Sequence, residues 1–179
     1  MNANLFDKEL KYITDINLRN KVVEVLSKID NRYETLPASS SGKYHPDFDN
    51  TVGGLVNHSK AVFWVAYDLM CTGEYTEEEK NKVYASCILH DMAKYGKGSE
   101  LTTHTTFTHP ILMAEVLNEN GLGEIAPLVE AHMGKWTTSK YNPGVELRRP
   151  QSKLEMIVHL ADYMSARKYI NESVYTDRE

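Results

Sequence analysis

The chain has 179 residues, of which 41% are apolar and 25% charged, a globular composition long enough to bury a core without disulfides. That excludes disordered, collagenous and fibrous chains, and a net charge of -5 argues against duplex DNA or an anionic membrane as the main partner. Cys71 and Cys87 make no disulfide framework, the first residues lack the pattern of a signal peptide, and no stretch approaches the ~20 apolar residues that cross a bilayer, so the expected location is the cytoplasm.

Hydrophobic periodicity predicts helices nearly everywhere. Leu18, Val22, Val25, Leu26 and Ile29 form an amphipathic stripe that should end before Pro37, within N-terminal helices over about residues 5–30 that pack on the rest. Residues 36–50 are polar and turn-rich and read as an ordered surface loop. A helix follows Gly53 and Gly54, carrying Leu55, Val56, Val62, Phe63, Val65, Ala66, Leu69 and Met70. Thr76 with Glu79 three places later is a capping box, opening a helix that runs toward Gly96. His109 before Pro110 suggests an N-cap followed by proline at the first helical position, with that helix stopping near Gly121. A short helix is expected from Glu124 to about Met133, and a last long one, capped by Ser152 with Glu155, through Ala161 to Ala166. Between them lies a long polar loop over 134–150. No window alternates apolar and polar residues long enough to make a sheet dominate, although a short hairpin fits within a loop. The expectation is one compact all-α domain spanning 1–179.

The placement of the seven histidines matters more than their number. His58 sits one and two turns before Val62 and Val65 and borders their apolar face. Tyr84, Cys87, Ile88 and Asp91 share one helical face, with His90 beside it. His132 continues the stripe Ile125, Leu128, Val129. Asp162 flanks the stripe Leu154, Ile157, Val158, Ala161. Carboxylates and imidazoles thus point into an apolar bundle. Burying an ionised carboxylate alone is strongly unfavourable, and cations on these faces are few. A divalent transition metal (Fe, Mn, Co, Ni or Zn) is the economical partner, because it accepts neutral imidazole and carboxylate. Helical bundles build such sites from several helices. With no thiolate at ligand spacing, a closed structural zinc site is disfavoured, and coordination positions are left for water and substrate.

In order along the chain, GGLVNHSKAV, ILHDMAKYG, THPILMAEVL, VEAHMGKW and IVHLADYMSARK resemble the HD-domain superfamily of metal-dependent phosphohydrolases. The resemblance covers roughly residues 43 to 168. It implies a helical bundle with the metal site between helices. Mapped here, the family pattern falls on His58, His90 with Asp91, His109, His132 and Asp162, and the two middle histidines mark members that bind two ions. By that analogy Asp91 bridges both ions, His58, His90 and Asp162 hold one, and His109 and His132 hold the other. The implied activity is hydrolysis of a phosphoester or phosphoanhydride by a metal-activated water. The substrate would be a small phosphorylated compound, a nucleotide or dinucleotide. Lys94, one turn after His90, would join Asp91 in catalysis by offsetting charge on a phosphate oxygen. Lys43, His45, Lys135, Arg148 and Arg149 lie in loops, which carry selectivity around rigid scaffolds, and together with Arg167 they are candidate substrate contacts.

The last segments are also similar to dinucleoside-tetraphosphate hydrolases and to HD exoribonuclease domains. Rival functions are therefore a 3′–5′ exoribonuclease-like nuclease, which the lack of an obvious oligonucleotide-binding barrel disfavours, and a nucleotide-binding or regulatory module without turnover. A homo-oligomer is compatible with the sequence. Several residues keep two readings. His104 competes with His109 as a ligand, and His109 doubles as an N-cap. His159 reads as a solvated or salt-bridged surface residue. His45 either meets substrate or shapes its turn. Lys94 also suits a helix C-terminus. Cys87 packs in the core more readily than it pairs with His90. Trp64, Phe63 and Tyr67 are expected in the core. Trp136 either packs or stacks on a base.

Overall fold

A computed structural model describes residues 1–98 and 100–178. Regular structure among them is helical: α1 Asp7–Leu10, α2 Ile16–Lys28, α3 Gly54–Cys71, α4 Glu77–Leu89, α5 His109–Glu119, α6 Ala126–Glu130, α7 Lys153–Ser165 and α8 Ser173–Thr176. Short 3₁₀ turns occur at Ala3–Phe6, Asn31–Glu34 and Asp47–Asn50. The fold is all-α, as periodicity implied. Among the described residues no strand forms, and the loop over 134–150 contains only one antiparallel bridge, Thr138 to Glu146. No helix among them is long and apolar enough to cross a membrane.

The predicted stripes explain the packing. Leu18, Val22, Val25 and Leu26 are buried along α2, which Asp15 caps by accepting from the backbone N–H groups of Asn17 and Leu18. Helix α3 is apolar or small around most of its circumference, the pattern of a helix enclosed by others, and it packs against α4, α7 and α8. Phe63 and Trp64 are buried at its centre, in edge contact with Tyr12, and Tyr67 joins them half-buried. Burying each such aromatic ring contributes about 1.5–3 kcal/mol. Trp64 donates its indole N–H to the buried Glu9 at 2.9 Å, so the ring leaves no donor unpaired. The capping box at the start of α4 is present in full. Ser152 caps α7 by accepting from the Glu155 N–H, while the Glu155 carboxylate turns to Arg148 at 2.8 Å and to the N–H of Gln151.

Two segments depart from expectation, and both departures build the site. The α4 helix was expected to run toward Gly96 but ends at Leu89. Beyond it the chain tightens into i→i+3 bonds, from Met92 to Leu89, Lys94 to Asp91 and Gly96 to Ala93. The His90 ring takes the Cys87 carbonyl, and the buried Tyr33 hydroxyl accepts from the Tyr95 N–H while donating to the Gly96 carbonyl. Side chains have replaced the helical ladder.

The second departure is the 36–50 segment, which is not simply surface. Ala38, His45 and Asp49 are buried, and the Asp47–Asn50 turn lies on α3. Gly54 makes this approach feasible: a Cβ there would fall 1.8 Å from the Asp49 carbonyl oxygen. The segment is a wall of the site.

Candidate metal centre

Four helices and one turn deliver side chains to a common point. His58 comes from the second turn of α3, His90 and Asp91 from the end of α4, His109 from the first residue of α5, His132 from the turn after α6, and Asp162 from the last turn of α7. His58, His90 and Asp91 are fully buried, and His109 and His132 are nearly so. The described residues of this cluster form two groups whose candidate ligand atoms lie within 4.8 Å of one another: His58, His90 and Asp162, and Asp91, His109 and His132.

Asp91 joins the groups through different oxygens. Its Oδ2 is 3.3 Å from His90 Nε2 and 3.7 Å from His58 Nε2. Its Oδ1 is 3.1 Å from His109 Nε2 and 3.6 Å from His132 Nε2. Asp162 Oδ1 completes the first group, 3.0 Å from His58 Nε2 and 3.8 Å from His90 Nε2.

The histidines are oriented from behind. Nδ1 of His90 donates to the Cys87 carbonyl at 2.9 Å, that of His109 to Thr106 at 2.6 Å, and that of His132 to Val129 at 2.6 Å. A carbonyl oxygen only accepts, so these Nδ1 atoms carry the hydrogen, and each neutral ring offers a lone pair at Nε2. His58 is backed by a carboxylate instead, its Nδ1 3.3 Å from Asp49 Oδ2. Asp49 also accepts from His45 Nδ1 at 3.2 Å.

His45, Asp49 and His58 form a third group at ligand-like distances, which meets the centre through the rear nitrogen of His58. Its place is that of a supporting shell, where a carboxylate fixes the imidazole that faces a metal.

This arrangement is poorly satisfied by hydrogen bonds alone. His109 Nε2 and His132 Nε2 stand 3.0 Å apart, both with Nδ1 donating elsewhere, so in the neutral rings two lone pairs face each other. His90 Nε2 and Asp91 Oδ1 are buried without a hydrogen-bond partner. A cation resolves both conflicts, and imidazole nitrogen with carboxylate oxygen is a donor set that divalent transition metals take. The residues present fit such ions.

Charge follows the same division. Burial pushes the Asp91 carboxyl up, but Lys94, His90 and His109 close beside it outweigh that and hold it well below the ordinary carboxylate range. Burial raises Asp162 as well, and His58 and His90 more than reverse it. For Asp49 the bonds from His45 and His58 win against burial. Burial lowers His58, yet its contacts with Asp162 and Asp49 raise it to about 9. His132 goes the other way, lowered to about 3 by burial, His109 and His90. Burial also lowers His45, to about 4, against the pull of Asp49.

Lys94 Nζ lies 2.5 Å from Asp91 Oδ2. The Asp162 side chain is 17% exposed and that of Lys94 12%, against 1% or less for His58, His90, Asp91 and His132, so the centre opens along the Asp162–Lys94 edge.

The remaining candidates divide. His45 is tied to Asp49 and packs its ring edge-on against His58, centroids 4.6 Å apart. Lys43 is exposed over Tyr44, and Lys135 lies over Trp136. Arg148 is committed to Glu155 at the start of α7, and the exposed Arg149 faces Glu146 at 3.9 Å, so both charges are offset within the loop and helix cap. Arg167 stacks on Tyr163. His104 is exposed, whereas His109 is in the cluster.

Two contributors were not legible as such. Asp49 was hidden in a polar run, and its only signal was the i,i+4 spacing after His45. His159, read as a surface residue, is half-buried: its Nδ1 donates to the His132 carbonyl at 2.8 Å. Its ring lies where a Cβ on Gly134 would fall, 2.1 Å from Cε1, and Gly134 has φ +61°. That glycine lets the turn carrying His132 seat on α7.

The family model for the HD domain matches residues 55–167. No curated protein and no solved structure matches the chain.

Proposed function

The chain belongs to the HD-domain family, a family in general of metal-dependent hydrolases, and from that premise we propose that it is a dimetal phosphohydrolase acting on a nucleotide or dinucleotide. The observation that carries this reading is the split of the Asp91 carboxylate, one oxygen toward His58 and His90 and the other toward His109 and His132. A carboxylate with one oxygen toward each of two ligand sets would suit a pair of ions acting together on a phosphoryl group. His58, His90 and Asp162 would hold one ion, His109 and His132 the other, and Asp91 both. Ions held there supply Lewis acidity, which polarises a phosphoryl oxygen and activates water for attack on phosphorus.

The chain's own residues supply the rest. Backbone carbonyls and Asp49 keep each Nε2 aimed inward, so the ligand set is organised before any ion arrives. Burial of the cluster excludes bulk water except along the Asp162–Lys94 edge, where a phosphate would enter. Lys94, held by Asp91 at that edge, would offset negative charge building on the phosphoryl oxygens, and with Asp91 it forms the catalytic pair. Lys43, His45, Lys135 and Arg167 are the proposed substrate contacts in the surrounding loops and at the end of α7. Arg148 and Arg149 join them only by leaving Glu155 and Glu146.

The deciding experiment joins metal analysis of the purified protein to a hydrolysis panel of mononucleotides, cyclic nucleotides, dinucleoside polyphosphates and short RNA. Chelation should abolish activity, and a divalent transition metal should restore it. Full activity after exhaustive chelation would overturn the proposal, and tight nucleotide binding without product would replace it with a non-catalytic binding role.

A further inference from the structure

An aromatic group joined to the centre through His159 is not used by the histidines and aspartates. The chain has two tryptophans, and they differ sharply: Trp64 is 2% exposed in the core, while Trp136 is 42% exposed. The Trp136 indole stacks on the Tyr163 ring, with centroids 5.3 Å apart and planes at 19°. The Arg167 guanidinium lies 3.6 Å from the Tyr163 centroid and 6.0 Å from that of Trp136. Its Nε donates to the Tyr163 carbonyl at 3.1 Å, which fixes it there. Lys135 Nζ is 5.2 Å from the Trp136 centroid.

This group is coupled to the candidate ligands by bonds as well as by sequence. Tyr163 follows Asp162 directly on α7, and Asp162 is the most exposed of the ligands. Trp136 follows His132 by four residues, and its backbone N–H donates to the Met133 carbonyl at 3.2 Å, closing a tight turn between them. His159 ties the two together. Its Nδ1 holds the His132 carbonyl, and its ring lies 6.2 Å from Trp136 and 6.1 Å from Tyr163. An exposed indole is thus held on an aromatic backing, beside two cations, and tied through His159 to the backbone of a candidate ligand. Flat aromatic surface with nearby cations is what a nucleobase stacks on.

We propose that Trp136, backed by Tyr163 and Arg167, is the platform on which the base of a nucleotide stacks while its phosphate lies at the metal centre. The proposal rests on the phosphohydrolase reading for the position of the phosphate, but the platform binds its base through stacking alone. Every base has a π-face, so the platform accepts purines and pyrimidines alike, and selectivity for a particular base must come from elsewhere.

The test compares AMP with ribose 5-phosphate, which share sugar and phosphate and differ only in the base. Because Trp64 is buried, quenching of tryptophan fluorescence by AMP reports Trp136. Calorimetry should show AMP binding about 5- to 100-fold more tightly than ribose 5-phosphate, the range expected for one stacked base. Trp136→Ala should bring AMP down to the affinity of ribose 5-phosphate, and Trp136→Phe should restore most of the difference. Equal binding of the two compounds by the unaltered protein, or an AMP affinity indifferent to Trp136→Ala, would overturn the platform. The two readings fail separately: AMP bound through Trp136 with no hydrolysis of any phosphoester removes the enzyme and keeps the platform. Hydrolysis with no base-dependent binding does the reverse.

Discussion

The two halves of the centre solve the same problem with different materials. His58, His90 and Asp162 come from the long helices α3 and α7 and the end of α4, with Asp49 behind His58. His109 and His132 come from the first residue of α5 and from the turn after the five-residue α6, backed only by carbonyls. The first half is rich in negative charge, and a proton on His58 can stand where an ion would, since contacts with Asp162 and Asp49 raise that imidazole to about 9. The second half has no such substitute, because His132 is lowered to about 3 and faces His109. In the proposed dimetal reading, the first half is organised with or without metal, while the second would need an ion to reconcile its two imidazoles.

The largest effect should come from cutting the link between the halves. Asp91→Ala removes an oxygen from each, and loss of several kcal/mol of transition-state stabilisation lowers hydrolysis by about a thousandfold or more. Metal content should fall while far-UV circular dichroism stays that of a helical protein. Retention of two ions and of activity would break the comparison at its base. Next come His58→Ala and His132→Ala, each aimed at one half. His132→Ala should leave one ion bound, and His58→Ala should weaken the site with more carboxylate. Inductively coupled plasma mass spectrometry on both variants measures whether the halves are separable, and loss of both ions from each would show a single cooperative site.

The all-α class and most helices were readable because stripes such as Leu18–Val22–Val25 and caps such as Thr76–Glu79 act locally. The cluster was readable as inward-facing residues on those stripes, His58, Asp91, His132 and Asp162 among them. What escaped depends on contacts distant in sequence or made by backbone. Asp49 reaches His58 only because Gly54 lets two backbones nearly touch. The end of α4 is set by the His90 ring and the Tyr33 hydroxyl, not by a local stop signal, so periodicity carried the helix too far. His159 acts on a carbonyl 27 positions away across a glycine turn, which no helical pattern encodes.

Asp49→Asn sharpens the contrast. The amide keeps the shape but removes the charge behind His58. Loss of such a supporting carboxylate lowers metal affinity about 10- to 100-fold. The loss should be confined to the first half, with the ion at His109 and His132 unchanged. Isothermal titration with a divalent transition metal, in the unaltered protein and the variant, resolves the two events, and equal weakening of both would assign Asp49 a general structural role.

The smallest effect is a slope, and it separates the halves without any substitution. His58 is raised to about 9, so at neutral pH the metal-free protein carries a proton on an imidazole whose Nε2 an ion must take. Binding in the first half therefore expels that proton, and apparent affinity should rise about tenfold per pH unit until about pH 9, then level. His132, lowered to about 3, has no proton to give above pH 4, so it adds no such slope to the second half. For stability the signs oppose. The raised His58 stabilises the metal-free fold fully below its unfolded value near 6.5 and ceases to as pH climbs through about 9. The lowered His132 stabilises it above about 6.5 and loses that contribution as pH falls toward about 3. Between them these imidazoles place the stability maximum of the metal-free protein near pH 6.5, and bound metal should broaden it toward alkaline pH, where His58 no longer needs its proton. Titrations in buffers of different ionisation enthalpy count the proton directly, and a pH-independent first binding event would mean that Asp162 and Asp49 do not hold His58 charged.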